Sequence, residues 1–258
     1  MKEYALIAFD LDDTLAPSKT RLPDAMAHAL ARLLERTHVC IISGGNLHQF
    51  NQQVLEVLKD FPVNYSHLHL MPTCGTRYLR FTDSQWKDVY RRDLPEDERK
   101  EAMRVLEEEA KSLGYWEEKV WGDIIEDRGS QITFSALGQQ APVDEKKKWD
   151  PDNLKKNALR IAVAKKLPHL EVRSGGSTSV DITQKGIDKA YGINELVKQT
   201  GICVNDMLFI GDRLDEGGND YPVLRLGIDT HAVNNWEDTQ QFIQTYCSYV
   251  EGKNHEKR

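Results

Sequence analysis

"LIAFDLDDTL" (residues 6–15) is an apolar run that ends in acids. Leu6, Ile7, Ala8 and Phe9 read as a buried strand, and Asp10, Asp12 and Asp13 crowd its end. Neighbouring carboxylates repel one another and lose hydration, so the placement costs folding energy unless something there needs the charge. Two further short runs have the same form: "HVCIISGG" (38–45) and "DMLFIGD" (206–212). Continuous apolar runs of this length suit parallel strands covered on both faces. Between the first two, "LPDAMAHALARLLER" (22–36) is apolar at helical spacing through Met26, Ala29, Leu30, Leu33 and Leu34, and "NLHQFNQQVLEVLKD" (46–60) predicts a second helix. Strand and helix alternate, which predicts an α/β fold: a Rossmann-like core with a parallel sheet.

The middle of the chain changes character. "YLRFTDSQWKDVYRRDL" (78–94) predicts a hairpin, and "PEDERKEAMRVLEEEAKSLG" (95–114) a charged amphipathic helix. "IIEDRGSQITFSALG" (124–138) alternates as a strand pair around Gly129-Ser130. "DPDNLKKNALRIAVAKKLP" (150–168) predicts a helix with Asp150 as cap and Pro151 at its first position, and residues 169–184 two more strands. The expected organisation is a core from residues 1–83 and 186–258, with an inserted α+β cap at 84–185. The last residues, "EGKNHEKR", are expected to fray.

Composition excludes several classes of function. At 258 residues with a net charge of −7, the chain is ordinary in hydrophobic content and unsuited to nucleic acid as its main partner. The basic cluster "EKKKW" (145–149) is flanked by acids and reads as solvated surface. The first apolar stretch is too short for a signal peptide, and no stretch approaches the roughly 18 apolar residues of a membrane span. Cys40, Cys74, Cys203 and Cys247 stand far apart, as reduced thiols of a cytoplasmic protein would.

In open parallel sheets, ligands bind beyond the carboxyl ends of the strands. The three buried runs bring Asp10, Ser43-Gly44-Gly45 and Asp212 to that edge, and Lys189 opens the helix before the third run. Carboxylates, a hydroxyl, glycine N–H groups and a lysine make a phosphate site if a divalent cation reverses the local charge. Hard oxygen donors without histidine or cysteine favour Mg²⁺.

"DLDDTL", Ser43 in "IISGG", Lys189 in "KGIDKA" and "GDRLDEGGND" (211–220) resemble, in order, the four motifs of the haloacid dehalogenase superfamily of phosphotransferases. The resemblance implies that Asp10 attacks phosphorus and that Asp12 is the general acid and base. It implies that Thr14 orients the acids beside the phosphate, and that Ser43, the Gly44 N–H and Lys189 hold the phosphoryl group. Asp10, the Asp12 backbone carbonyl and Asp212 would bind Mg²⁺. The position of the cap is that of the superfamily's type IIB caps. "GGSTSVDITQKGIDK" (175–189), "GDRLDEGGND" and "IIEDRGSQITFSALG" are most similar to segments of the eukaryotic-type phosphomannomutases. By that match Arg128, Ser179 and Asp181 would contact the sugar or its distal phosphate. Related mutases pair through their caps, so a homodimer is implied as well.

The chain departs from that family where cap arginines are expected, with Gln139 and Lys146 in their place and Lys19 near the first motif. Arginine supplies a planar two-pronged fork that lysine and glutamine cannot copy. A second phosphate clamp, reduced to Arg128 and Lys146, favours water as the second phosphoryl acceptor. The expected activity is therefore a phosphatase for a small phosphorylated sugar or polyol, with phosphomannomutase as the alternative. A non-catalytic phosphosugar-binding protein would lack a catalytic acid, and this sequence keeps both.

Overall fold

A computed structural model describes residues 1–175 and 178–256. In chain order its strands are β1 (Leu6–Phe9), β2 (His38–Ile42), β3 (Leu68–Met71), β4 (Arg77–Thr82), β5 (Gln85–Arg91), β6 (Ile125–Asp127), β7 (Gln131–Ser135), β8 (Leu170–Ser174), β9 (Ser179–Gln184), β10 (Met207–Gly211) and β11 (Asp229–Ala232). Its α-helices are α1 (Asp24–Leu34), α2 (Leu47–Phe50), α3 (Glu56–Leu58), α4 (Glu96–Ser112), α5 (Val143–Trp149), α6 (Leu154–Lys166), α7 (Lys189–Thr200) and α8 (Trp236–Glu256). The chain divides into two compact units, residues 1–91 with 188–258 and residues 92–187.

The first unit is built on one sheet in the order β11-β10-β1-β2-β3-β4-β5. Strands β11, β10, β1, β2 and β3 are parallel, and the hairpin β4–β5 continues the sheet antiparallel. Alternation along a strand sends successive side chains to opposite faces. Ile7 and Phe9 join Val39 and Ile41 against Met26, Leu30 and Leu33 of α1 and Ile243 and Tyr246 of α8. Leu6, Ala8, Cys40 and Ile42 pack on the other face against Ile193 and Leu196 of α7. Both faces are buried, which is why "LIAF" reads as an unbroken apolar run; each large side chain so covered contributes about 1.5–3 kcal/mol. Helix α7 lies so close to the sheet that a Cβ on Gly192 would stand 2.4 Å from Ile42 Cδ1 and 2.7 Å from the Cys74 carbonyl oxygen.

The second unit carries a four-stranded antiparallel sheet in the order β6-β7-β9-β8. Ile132, Phe134, Val180 and Ile182 form one core with Ala102, Val105 and Leu106 of α4 and Leu159 and Val163 of α6. Gln131, Thr133, Ser179, Asp181 and Thr183 alternate onto the opposite, polar face of the two central strands.

Several expectations change in detail. The core runs to Arg91 instead of residue 83, because β5 pairs with β4 through a tight turn at Asp83 and Ser84, both with positive φ. Trp86 packs on the core of the first unit, and Arg77 pairs with Asp88 across the hairpin at 2.5 Å. The predicted helix 46–60 is broken by a π-helical turn, Asn51–Leu55, between α2 and α3. The residues around Pro151 stay non-helical, and α6 starts at Leu154; Asp150 still caps it, accepting the Lys155 and Lys156 N–H groups at 3.0 Å each. The cluster 145–149 is not all solvated surface: it lies on α5, where Lys146 is 8% exposed and Trp149 is buried. At the chain's end α8 continues to Glu256, because Glu251 is anchored by Arg32 of α1 and by Arg36 just past its end; the expected fraying of Lys257 and Arg258 falls outside the described residues. Gly176 and Ser177 of the "GGSTSVD" segment also lie outside them.

Candidate active site

Asp10 directly follows β1, and its N–H donates to the Ile210 carbonyl at 3.0 Å, which fixes it beside the end of β10. Strand β10 delivers Asp212 next door, and β2, paired to β1 on the other side, delivers Ser43. The first-motif turn is closed by Leu15 N–H to the Leu11 carbonyl and by Asp13 N–H to the Ala16 carbonyl, at 2.9 and 2.7 Å. Asp13 occupies the left-handed region at φ 59°, and its carboxylate accepts the Ser18 N–H at 3.0 Å. Its acid therefore serves the turn, a role open to aspartate because a short polar side chain tolerates that backbone.

Lys189 is the centre of the site. It is the first residue of α7, behind the Asp188 cap that accepts the Tyr191 N–H at 2.9 Å. Its ammonium is 1% exposed and lies 2.6 Å from both Asp10 Oδ1 and Asp220 Oδ1. Thr14, fully buried, donates to Asp212 Oδ1 at 3.2 Å. Carboxylate oxygens of Asp10, Asp212 and Asp220 all lie within 4.8 Å of one another. Were all three acids ionised, one ammonium would leave an excess of two negative charges in a buried place. Burial first, and then Asp220, push Asp10 up to about 8 in spite of Lys189. Asp212 is raised by the same causes, burial and then Asp220. Lys189, by contrast, is held charged by its two carboxylate partners against the cost of burial. All the donors in this set are hard oxygens, and their excess charge suits a divalent cation of the Mg²⁺ class.

Asp220, in the "GDRLDEGGND" segment, carries no role in the sequence reading, yet one of its oxygens holds Lys189 and the other accepts the Arg213 N–H at 3.1 Å. Gly211 makes room for it, since a Cβ there would stand 2.4 Å from Asp220 Oδ2. The "GGND" segment had drawn attention to this loop, but periodicity could not show that it folds back onto its own start. With both oxygens engaged, Asp220 anchors Lys189, and Asp10 and Asp212 remain as the better cation ligands.

Asp12 points its carboxylate elsewhere. Oδ1 accepts the Lys19 N–H at 2.6 Å and Oδ2 accepts Gln49 Nε2 at 3.0 Å. Ser43, 4% exposed, accepts the Gly45 N–H on its Oγ at 3.1 Å, with Gly44 between them. Gln49 and Gln53 were missed by sequence reasoning, because a glutamine on a helix carries no signature of its partner.

The predicted cap residues lie together on the second unit. The Arg128 guanidinium pairs with Glu126 at 2.7 Å and reaches Gln139 Oε1 at 3.5 Å. Lys146 donates to the Gln139 carbonyl at 3.2 Å. Asp181 Oδ1 accepts from Thr133 and Gln131 at 2.8 and 3.0 Å, and Ser179 stands two residues before it on β9.

Residues 7–256 match the family model of the haloacid dehalogenase-like hydrolases. The chain belongs to that family. Among curated proteins, this hydrolase is 26% identical to a phosphomannomutase of Encephalitozoon cuniculi over 253 residues, 93% of each chain. Its fold is shared by an N-terminally truncated IMP-nucleotidase of Plasmodium falciparum, with a TM-score of 0.68 at 17% identity over 95% of this chain and 70% of the other. A haloacid dehalogenase-like hydrolase from Bacteroides thetaiotaomicron superposes with a TM-score of 0.62 at 17% identity, covering 94% of this chain and 99% of the other. The structural likenesses establish the α/β fold, and the family establishes a haloacid dehalogenase-like hydrolase. No helix among the described residues is long and apolar enough to cross a membrane.

Proposed function

We propose that the hydrolase is a Mg²⁺-dependent phosphatase for a small phosphorylated sugar or polyol, working through an aspartyl phosphate on Asp10. A Michaelis complex would begin with the phosphoryl group beside Asp10, Ser43, the Gly44 N–H and Lys189. A carboxylate oxygen of Asp10 then bonds to phosphorus as the bond from phosphorus to the sugar oxygen breaks, and Asp12 gives that oxygen its proton. In the second step Asp12 takes a proton from water while the water oxygen attacks phosphorus. The bond to Asp10 breaks, inorganic phosphate leaves, and both acids return to their starting states. Asp10, Asp212 and the Asp12 carbonyl would hold Mg²⁺, whose charge offsets that of the phosphoryl oxygens. Lys189 would offset them as well while remaining protonated, held charged by Asp10 and Asp220.

One observation carries the choice of phosphatase over mutase. A mutase must hold a sugar bisphosphate by its distal phosphate, a group with about two negative charges. In the second unit the Arg128 guanidinium is already paired with Glu126, Gln139 offers an uncharged amide, and Lys146 is 8% exposed. Such a surface, with Ser179 and Asp181 beside it, suits sugar hydroxyls better than a second phosphate. The second reading, phosphomannomutase, is favoured by the likeness to curated phosphomannomutases along nearly the whole chain. Phosphorus NMR separates the two, using purified protein, mannose 1-phosphate, a trace of glucose 1,6-bisphosphate and either Mg²⁺ or EDTA. Free phosphate that forms only with Mg²⁺ supports the phosphatase; 6-phosphate accumulating without free phosphate makes the chain a mutase. The same proposal includes a cytoplasmic location, supported by four cysteines that form no disulfide, and a homodimer through the cap, testable by light scattering.

A further inference from the structure

Asp12 is the proton carrier of the proposed phosphatase, and a role for any residue that holds its carboxylate rests on that assignment. Outside the four motifs, the side chains of Gln49 and Gln53 reach its carboxylate. Gln49 Nε2 donates to Asp12 Oδ2 at 3.0 Å and to Gln53 Oε1 at 2.9 Å, so both amide hydrogens are committed. The Gln49 amide oxygen lies across Gly45, where a Cβ would stand 2.2 Å away. Any other residue at position 45 would push the amide aside. The backbone of Gln49 is held as well, its N–H donating to the Asn46 cap at 2.9 Å.

Gln53 completes the frame. It is 4% exposed, its Nε2 stands 3.5 Å from Asp12 Oδ1, and its carbonyl accepts the Leu22 N–H at 2.9 Å. That last bond ties the helix to the segment after the first motif, whose Lys19 N–H holds the other Asp12 oxygen at 2.6 Å. The π-helical turn Asn51–Leu55 includes Gln53, and such turns are rare departures that recur at functional sites. With one of its two lone pairs given to Gln49, Oδ2 can carry a proton while these bonds stay in place.

We infer that Gln49 is a positioning residue for proton transfer by Asp12: it fixes the plane of the carboxylate through Oδ2, against a Gly45 that leaves room for its amide. Gln49 reaches no reacting atom itself. Its loss acts on steps in which Asp12 moves a proton and spares steps in which it does not.

Leaving groups make that distinction. A sugar alkoxide needs a proton as it departs, whereas p-nitrophenolate leaves without one. The experiment compares Gln49→Met and the isosteric Gln49→Glu with Asp12→Asn and the unaltered enzyme, all with Mg²⁺. One assay is turnover of a hexose 6-phosphate; the other is the pre-steady-state burst of p-nitrophenolate from p-nitrophenyl phosphate, which reports the first step alone. Both Gln49 variants are expected to lose about 10- to 100-fold in kcat on the sugar phosphate, part of the 10²–10⁴ that a positioned acid supplies. KM should stay within about twofold, and the burst rate within about threefold. Asp12→Asn should show the same split with a larger loss. Should Asp12→Asn leave both assays intact, the acid–base reading itself fails. If Asp12→Asn shows the split and both Gln49 variants turn over sugar phosphate normally, or lose both activities in proportion, the role given to Gln49 is overturned while the reading of Asp12 stands. If Gln49→Met proves unfolded by circular dichroism, Gln49→Glu, with the same shape and no donor, decides alone.

Discussion

His69 sits in the middle of β3, fully buried, and every neighbour favours its neutral ring. Its Nδ1 faces Tyr78 Oη at 2.7 Å and Arg80 Nη1 at 3.2 Å; Arg80 can only donate, so Nδ1 accepts and the proton rides on Nε2. Nε2 in turn lies 3.1 Å from His38 Nδ1, whose ring is 4.5 Å from that of His67. Cys40, the register partner of His69 on β2, has a thiol that burial pushes up and keeps neutral. Burial first, then Arg80, His38 and His67, lower His69 from 6.5 to about 2. Between those values the unfolded chain binds a proton that the folded chain refuses. Stability therefore falls as pH drops below 6.5, by about 1.4 kcal/mol per pH unit, or about 2 kcal/mol at pH 5. His38 is lowered too, with burial as the main cause, and adds to the loss. Asp10 works in the opposite sense: raised to about 8, it holds a proton in the folded metal-free protein and so favours folding as pH falls below that value. A difference measurement isolates His69: urea unfolding in EDTA at pH 7.5 and 5.0, for the unaltered protein and His69→Gln. Glutamine offers one acceptor and one donor but does not titrate. The variant should be less stable at pH 7.5 and should recover about 2 kcal/mol relative to the unaltered protein at pH 5.0. Parallel pH curves for the two proteins would refute the assignment.

Other substitutions probe the site. Asp10→Asn should abolish acid-quenched phosphoenzyme while melting no lower than the unaltered protein in EDTA, since it removes a buried acid; a clear drop in Tm would count against the charge excess described here. Lys189→Met strands Asp10 and Asp220 and should cost about 3–5 kcal/mol in urea unfolding without Mg²⁺, so an unchanged midpoint would contradict the central role of the lysine. Asp13→Gly should keep turnover and change stability by no more than about 1 kcal/mol, because the residue only serves a left-handed turn; a large loss of kcat would show a chemical role. Gln139→Arg should raise isomerisation relative to hydrolysis in the phosphorus NMR assay, and a constant ratio would argue against the phosphate-clamp reasoning.

The sequence made some of this legible and hid the rest for physical reasons. Asp10, Ser43, Lys189 and Asp212 were readable because short apolar runs and helix starts mark where a parallel sheet ends. The partnership of Asp220 with Lys189 was not, since it depends on a loop that turns back to the N–H of Arg213. Strand β5 reads as part of an insertion because most of its side chains are exposed, as on an edge strand, and Trp86 and Tyr90, packed on the cores of the first unit, show that it finishes the sheet. In "EKKKW", charge hides a short helix that turns one lysine inward. The π-helical turn leaves no mark in helical periodicity, although it bears Gln53.

The pairing of β1 with β10 sets a constraint on how the chain is made. Leu6 lies against Met207, so β1 gains its second neighbour only after some two hundred residues have been synthesised. Until then β1 can pair with β2 but keeps an open edge, and Asp10 lacks Lys189, Asp212 and Asp220. A nascent chain released early would carry an apolar strand edge of the sort that recruits other strands. The same delay means that no truncated product can assemble the charged centre. The charged centre and the protection of that edge arrive close together, once β10 and the loop through Asp220 have left the ribosome.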